Sequence, residues 1–313
     1  MTNKDLYQKY CEQNAVPIFN QPWWLYSVCD DQWDVAVIKN QNEIIAALPY
    51  HIKKKGIHTI ILPPQLTQYT ELILNYPPGQ KYVSKIGFEK DKISYLIEQL
   101  PQADYIELTL SPKLTNWLPF KWKGFIETSR YTYIIENLTD LEIVQSGFKD
   151  NIRREIRKAK KQLAISTSDD IELFYKINQK TFDRQKIKNP YPLDLFRKLD
   201  EKCKQQKCRT IYIAKDNEDN IHGSVYIVWD KKVSYYLAGG SDPGFRTSGA
   251  HSLLMWRAIQ DAAKRNQSFD FKGSMIESVE RFFRGFGAMQ TPYFRLKKYN
   301  SKILKLILPI VYS

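Results

Sequence analysis

FDFKGSMIESVERFFRGFGA, residues 269–288, decides the reading of this chain, together with FRTSGAHSLLMW at residues 245–256. The first stretch is a short apolar strand that leads into a short helix. Val279, Phe282, Phe283 and Phe286 recur at i, i+3, i+4 and i+7, so one face turns to the core. Glu277, Glu280, Arg281 and Arg284 fall on the other face, and Gly285 and Gly287 end the helix. The second stretch follows a strand at 233–238 and a turn containing Gly239, Gly240, Asp242, Pro243 and Gly244. It opens a helix over 249–265, with Leu254, Met255, Ala258, Ile259 and Ala262 as its apolar stripe.

The first turn of a helix leaves backbone N–H groups without intrahelical partners, and with the helix dipole they form an anion seat. The residues placed for such a seat are Arg246, Thr247, Ser248, Gly249, Ala250 and His251. Gly249 carries no side chain, which predicts room for a pyrophosphate at the backbone, and Arg246 adds a charge-assisted contact. An ordinary helix start capped by Thr247 or Ser248 accounts for the same residues. Arg284 is the candidate for stabilising phosphate or oxyanion charge. Glu280 is the candidate proton acceptor. Their plainer role is an i,i+4 ion pair, worth about 0.3–0.5 kcal/mol. No GxxxxGK followed by Ser or Thr occurs, which argues against P-loop nucleotide hydrolysis. No Ser-His-Asp or Cys-His signature is visible, which fits direct attack without a covalent enzyme intermediate.

Working outward, residues 151–161 (NIRREIRKAKK) form a helix with six cations and one acid. Its basic face is either solvated or a polyanion contact, with Arg153 and Arg157 as substrate-side candidates. Tyr236, on the strand before the anion seat, is a third. Charge follows the same division. Residues 1–145 carry a net −2 and residues 146–313 a net +15, out of +13 for the chain. So basic a half points to phosphates, nucleic acid or an anionic membrane face. Aromatics interleave poorly with these cations, so sequence-specific DNA reading is not expected.

The 313 residues predict two domains, 1–145 and 146–313, and 7 Trp, 20 Tyr and 15 Phe exclude a disordered chain. In the second half, helices at 151–161, 170–184 and 193–205 precede strands at 209–215, 221–229 and 233–238. The helix and the strand–helix pair already described follow, and a strand at 293–297 closes the half. This is a mixed α/β plan. The first half reads as short helices at 6–13 and 23–29, a hairpin at 33–53 turning at Asn40-Gln41-Asn42, and a Pro- and Tyr-rich loop at 62–79. A helix at 92–99 and strands at 105–110 and 125–136 complete it. Cys11, Cys29, Cys203 and Cys208 show no metal-ligand spacing, so free thiols, no metal and a reducing compartment are expected. The N-terminus lacks a signal-peptide pattern. The apolar run 303–311 is expected to close on its own domain, with contact to lipid phosphates through Lys297, Lys298, Lys302 and Lys305 as the other option.

Residues 235–288 resemble the GNAT-fold acyltransferases of the FemAB-like group. Phe283-Arg284-Gly285-Phe286-Gly287 stands where that group has its RFKxGFGG-like signature, with Arg284 at the family's lysine, and NIRREIRKAKK is similar to its basic helix. The resemblance spans 148–297 and is faint over 1–140. It implies two tandem GNAT-like domains, each a mixed central sheet flanked by helices, with a cleft between them. The N-terminal domain would be degenerate and face the acceptor, and the C-terminal domain would hold the donor. It also implies a cytoplasmic N-acyltransferase with no permanently bound cofactor, taking acyl-CoA as donor and an amine of a sugar or cell-envelope precursor as acceptor. Aminoacyl-tRNA acting on a peptidoglycan or lipid-linked precursor is the second option, with peripheral contact at the inner membrane face. A non-catalytic anion- or membrane-binding module is the third. Arg246 and Gly249 match the GNAT pyrophosphate pattern Gln/Arg-x-x-Gly-x-Gly/Ala, whereas His251 departs from it. No paired long heptad helices mark the helical arm of the glycine-adding members.

Overall fold

The computed structural model describes residues 1–41, 43–265 and 267–311, with 307–311 as backbone only. The elements in chain order begin α1 (Asn3–Gln13), α2 (Pro22–Cys29), β1 (Trp33–Asn40), β2 (Glu43–Lys55), β3 (His58–Leu62), β4 (Ile73–Leu74), α3 (Tyr82–Glu98), β5 (Tyr105–Leu110), α4 (Leu118–Trp122) and β6 (Ile126–Ile135). They continue α5 (Leu141–Ser146), α6 (Asp150–Ala159), β7 (Ala164–Ser168), α7 (Ile171–Arg184), α8 (Leu193–Gln205), β8 (Arg209–Lys215), β9 (Ile221–Trp229) and β10 (Val233–Ser241). The last are α9 (Ala250–Lys264), β11 (Ser268–Asp270), α10 (Glu277–Arg284), β12 (Met289–Tyr299) and α11 (Lys302–Val311).

Two compact units form, one from residues 1–130 with the chain from Pro292 onward, the other from residues 131–291. The division drawn at 145/146 from sequence is displaced by strand pairing. Ile134 and Ile135 of β6 pair with Asp270 and Phe269 of β11, and residues 131–145 accordingly belong to the second unit. Phe294–Tyr299 of β12 pair with Tyr105–Leu110 of β5, which returns the C-terminal strand to the first.

In the first unit the strand order is β1-β2-β3-β5-β12, with β4 on β2. β1/β2 and β2/β3 are antiparallel, β3/β5 parallel and β5/β12 antiparallel. In the second the order is β7-β8-β9-β10-β11-β6, where β8/β9 and β9/β10 are antiparallel, β10/β11 parallel and β11/β6 antiparallel. The first unit's run of pairings recurs in the second from β8 to β6, where β7 adds an antiparallel edge, and a helix lies in the connection between the two parallel strands, α3 in one and α9 in the other. A parallel pair requires such a crossover, so one plan occurs twice.

The openings beside the two parallel pairs differ. In the first unit the loop after β3 turns inward and is buried from Leu66 to Thr70. Thr70 N–H donates to Thr109 O and Ser111 N–H to Thr70 O, so the loop itself takes the edge of β5 where β3 has ended. The second unit's core joins Ile152 and Ile156 of α6, Leu254, Met255 and Ile259 of α9, Phe269, Phe271, and Phe283 and Phe286 at the end of α10.

Several expectations needed correction. β10 does not turn at Gly239 but runs on to Ser241, because 239–241 pair with Val225, Ser224 and Gly223. α3 begins ten residues earlier than the apolar pattern suggests, since its first turns expose Tyr82 and Val83. The apolar C-terminal run is helical, but Ile303 and Leu306 are exposed rather than buried. The remaining side chains of that run, and Asn42 of the expected hairpin turn, lie outside the described residues.

Just past β11 the chain takes two successive left-handed residues, Lys272 (φ 64°) and Gly273 (φ 57°). A Cβ on Gly273 would stand 2.0 Å from the carbonyl oxygen of Tyr131. Gly273→Ala therefore adds a backbone clash to a disfavoured φ. It should destabilise the protein by about 2 kcal/mol or more, read by urea denaturation.

Candidate active site

The parallel pairing of β10 and β11 lasts only three positions, Val233↔Ser268, Ser234↔Phe269 and Tyr235↔Asp270. Beyond it β10 continues on β9, with a register shift between Tyr236 and Ala238. Side chains rather than a strand meet its other edge. Lys272 Nζ reaches Leu237 O at 3.5 Å, Asn178 Nδ2 donates to Gly239 O at 2.8 Å, and Ser241 N–H donates to Thr181 Oγ1 at 3.4 Å. Asn189 Nδ2 fixes the Asn178 amide by donating to its Oδ1. Both glycines of β10 are required by close approach. A Cβ at 239 would lie 2.5 Å from the Tyr236 hydroxyl, and one at 240 would lie 2.5 Å from Ile177 O of α7.

Tyr236 and His251 meet here. The Tyr236 hydroxyl is 3.3 Å from His251 Nε2, and Ser241 Oγ is 3.4 Å from His251 Nδ1. Burial pushes the Tyr236 phenol up and lowers His251 to about 4, so the imidazole is neutral at physiological pH. The rings of Phe282 and Phe283 on α10 pack on His251 and Tyr236.

The start of α9 is more enclosed than the sequence implied. Gly249 adopts φ 77°, and a Cβ there would be 2.6 Å from Glu155 O, so the missing side chain is required by close contact with the backbone of α6. Lys158 Nζ donates to Thr247 O and Gln162 Nε2 to Ser248 O. Ala250 N–H donates to Ser248 Oγ, and Ser252 donates to the Glu155 carboxylate. Ser248, Gly249 and Ala250 are buried, while Arg246 and Thr247 are exposed.

Glu280 and Arg284 pair on α10, Nε to Oε1 at 2.7 Å. Tyr133 on β6, which the sequence did not single out, donates to the same Glu280 oxygen at 2.7 Å, and Gln290 Nε2 donates to the Tyr133 hydroxyl. The hydrogen bonds from Arg284 and Tyr133 hold Glu280 below the usual carboxylate range. On α6, Arg153 is engaged by Asp150 and by Ser146 O, and Arg157 is exposed beside Arg154 and Lys158.

Residues 146–283 match the family model described as an acetyltransferase (GNAT) domain. Across the whole chain the fold is similar to the crystal structure of FemX, at 12% identity, 98% coverage of each chain and a TM-score of 0.69. The chain has a GNAT-like fold, and the acetyltransferase-domain match lies within it at residues 146–283. This GNAT fold is also similar to the C-terminal domain of a putative lysylphosphatidylglycerol synthetase from Agrobacterium fabrum, at 9% identity, covering 99% of this chain and 93% of that one, with a TM-score of 0.55. A tandem GNAT protein from the clavulanic acid biosynthesis pathway aligns at 8% identity, 95% and 93% coverage and a TM-score of 0.51. No curated protein matches the chain in sequence. Among the described residues, no helix is long and apolar enough to cross a membrane.

Two outcomes follow from the packing of this GNAT unit. Gly249→Ala should lower the melting temperature, because its Cβ meets α6 and its φ is left-handed; a normal melt with lost donor affinity would instead place a ligand at that position. His251 and His51 both sit near 4 in the folded protein against 6.5 when free, so the unfolded chain binds more protons on acidification. Stability should be full above about pH 6.5 and decline toward about pH 4. Denaturation at several pH values should show a shallower decline for His251→Gln.

Proposed function

We propose that this transferase moves an aminoacyl group from aminoacyl-tRNA to an amine of a cell-envelope precursor. The observation that carries the acyl-transfer reading is the edge of β10 beyond Tyr235, where among the described residues side chains rather than a strand take its backbone groups, inside the acetyltransferase match. An extended acyl-bearing arm would lie there, as a strand lies on an edge. The acceptor amine attacks the carbonyl carbon, the bond to the donor's oxygen breaks, and the amine loses a proton. Alignment of the two substrates supplies most of the rate. Glu280 is the candidate acceptor of that proton. Its partners Arg284 and Tyr133 keep it ionised while weakening it as a base.

The donor reading rests on charge and space. Arg154, Arg157, Lys160 and Lys161 stand exposed on and just beyond α6, a surface suited to a polyanion backbone. Gly249 meanwhile is spent on contact with α6. The similarity to a lysylphosphatidylglycerol synthetase domain, whose name describes an aminoacylated lipid, points the same way. Acyl-CoA is the second reading, favoured by the exposed Arg246 and Thr247 beside the α9 start and by the acetyltransferase model. Lys302 and Lys305 beside the exposed Ile303 and Leu306 of α11 support peripheral contact with an anionic membrane.

Transfer of radiolabelled amino acid from aminoacyl-tRNA, measured beside transfer from acetyl-CoA, tests the choice. Arg154→Glu/Arg157→Glu should raise the KM for aminoacyl-tRNA about tenfold or more and leave the fold intact. Turnover with acetyl-CoA alone would establish the second reading. Vesicle binding with no turnover on either donor would leave an anion-binding module.

A further inference from the structure

We propose that Lys272, which extends from the end of β11 across the opening to the edge of β10, delivers the proton that the departing donor oxygen or sulfur requires. The inference rests on the acyl-transfer reading and adds a residue with a defined task to it.

Three features of the structure support it. First, position. Lys272 directly follows Phe271, one residue past the last β10–β11 pair, and its Nζ stands 3.5 Å from Leu237 O on the β10 edge proposed to receive the acyl-bearing arm. Second, conformation. Lys272 has φ 64°, a region that costs an L-residue with a side chain roughly 1–2 kcal/mol and that glycine occupies freely. The next residue is Gly273, also left-handed, so the turn holds a lysine where a second glycine would be easier. Third, environment. The side chain is half-buried, and burial lowers the ammonium to about 8, against the pull of the Asp270 carboxylate toward the charged form. Asp270 is itself held in place by Thr132 and by the Lys272 backbone N–H, so it is a fixed charge.

The titratable groups facing this turn from the elements packed around it include Asp270 on its own strand, Tyr236 on β10, Tyr131 and Tyr133 on β6, His251 on α9, and Glu280 and Arg284 on α10. His251 is neutral, Tyr133 and Tyr236 are raised by burial, and Glu280 is paired with Arg284. That leaves the Lys272 ammonium as the acid of matched strength at the β10 edge.

The step balances. The amine nitrogen bonds to the carbonyl carbon, and the pair of electrons in the carbon–oxygen or carbon–sulfur bond leaves with the donor. Lys272 gives that atom a proton, and water returns one to the lysine. The proton shed by the attacking amine departs separately.

Lys272→Gly is the informative variant, because glycine accepts φ 64° and the turn is kept. With the donor on which the wild type turns over, its kcat should fall about 100-fold or more while KM for that donor changes less than about threefold. Wild-type kcat should decline as pH rises through about 8, and Lys272→Gly should lack that limb. With an activated aryl ester of the same acyl group, whose phenolate departs without a proton, the loss should shrink to within about tenfold. Equal losses on both donors, an unchanged kcat, or a retained alkaline limb would each overturn the assignment while the transferase reading stands. A wild type inert with every donor would overturn both.

Discussion

The second unit depends on where one short ladder stops. β10 and β11 share three parallel positions and then part, because Lys272 and Gly273 turn left-handed and carry the chain onto β6. Had β11 run on, its amides would have paired with residues 237–241 of β10, and no edge would remain for anything else. The early stop leaves backbone groups that must be satisfied in some other way. Asn178, Thr181 and Lys272 supply that satisfaction from side chains. The early stop thus converts a buried sheet interior into a surface with addressable polar groups.

Glycine usage around this edge follows from contact rather than from flexibility. Gly240 lets α7 reach β10, Gly239 makes room for Tyr236 and His251, and Gly249 lets α6 press on the start of α9. The last of these changes the meaning of a motif. A glycine at a helix start reads as an opening for phosphate when only the sequence is in view. Here the same missing side chain admits Glu155, whose carboxylate also takes the Ser252 hydroxyl. Close packing of two helices and a phosphate seat require the same local chemistry, so spacing cannot separate them.

Periodic segments were legible and their ends were not. The strands at 105–110, 209–215 and 221–229 and the helix at 193–205 appear as read, because their apolar patterns are sustained and flanked by breakers. α10 and the turn after it place Phe283 and Phe286 inside and the Glu280–Arg284 pair outside, as the spacing required. Gly239-Gly240 misled because the pair reads as a turn, and only the ladder to β9 shows that it is strand. The unit boundary misled because β12 and β6 are assigned by pairings remote in sequence, which no local pattern records. In the candidate site, the sequence singles out Glu280, Arg284, Tyr236 and His251, and the fold brings them into two clusters linked by the α10 phenylalanines. Tyr133, Asn178 and Lys272 were missed. Each is an ordinary residue in its own segment and gains its part only from a strand or helix brought alongside. A lysine beside a glycine just after a strand was the one available signal for the last of them.

The two units share one order of pairings, and the contrast between them argues for an unequal division of labour. In the first, β3 also parts from its parallel partner, after Ile60↔Tyr105 and Ile61↔Ile106. There the chain fills the gap itself, with Thr70 seated between Thr109 O and Ser111 N–H and Leu66 to Thr70 buried beneath. Pro63-Pro64 before this loop and Pro77-Pro78 after it disfavour regular helix or central strand at both ends, and between them the chain forms just the two-residue strand β4. Such an edge is already saturated with backbone hydrogen bonds and offers an extended ligand little to gain. Only the second unit keeps its edge for side chains, and that unit also carries the basic helix α6. A duplicated fold with one gap filled by its own loop keeps the scaffold twice, and in the second unit leaves the strand edge to side chains.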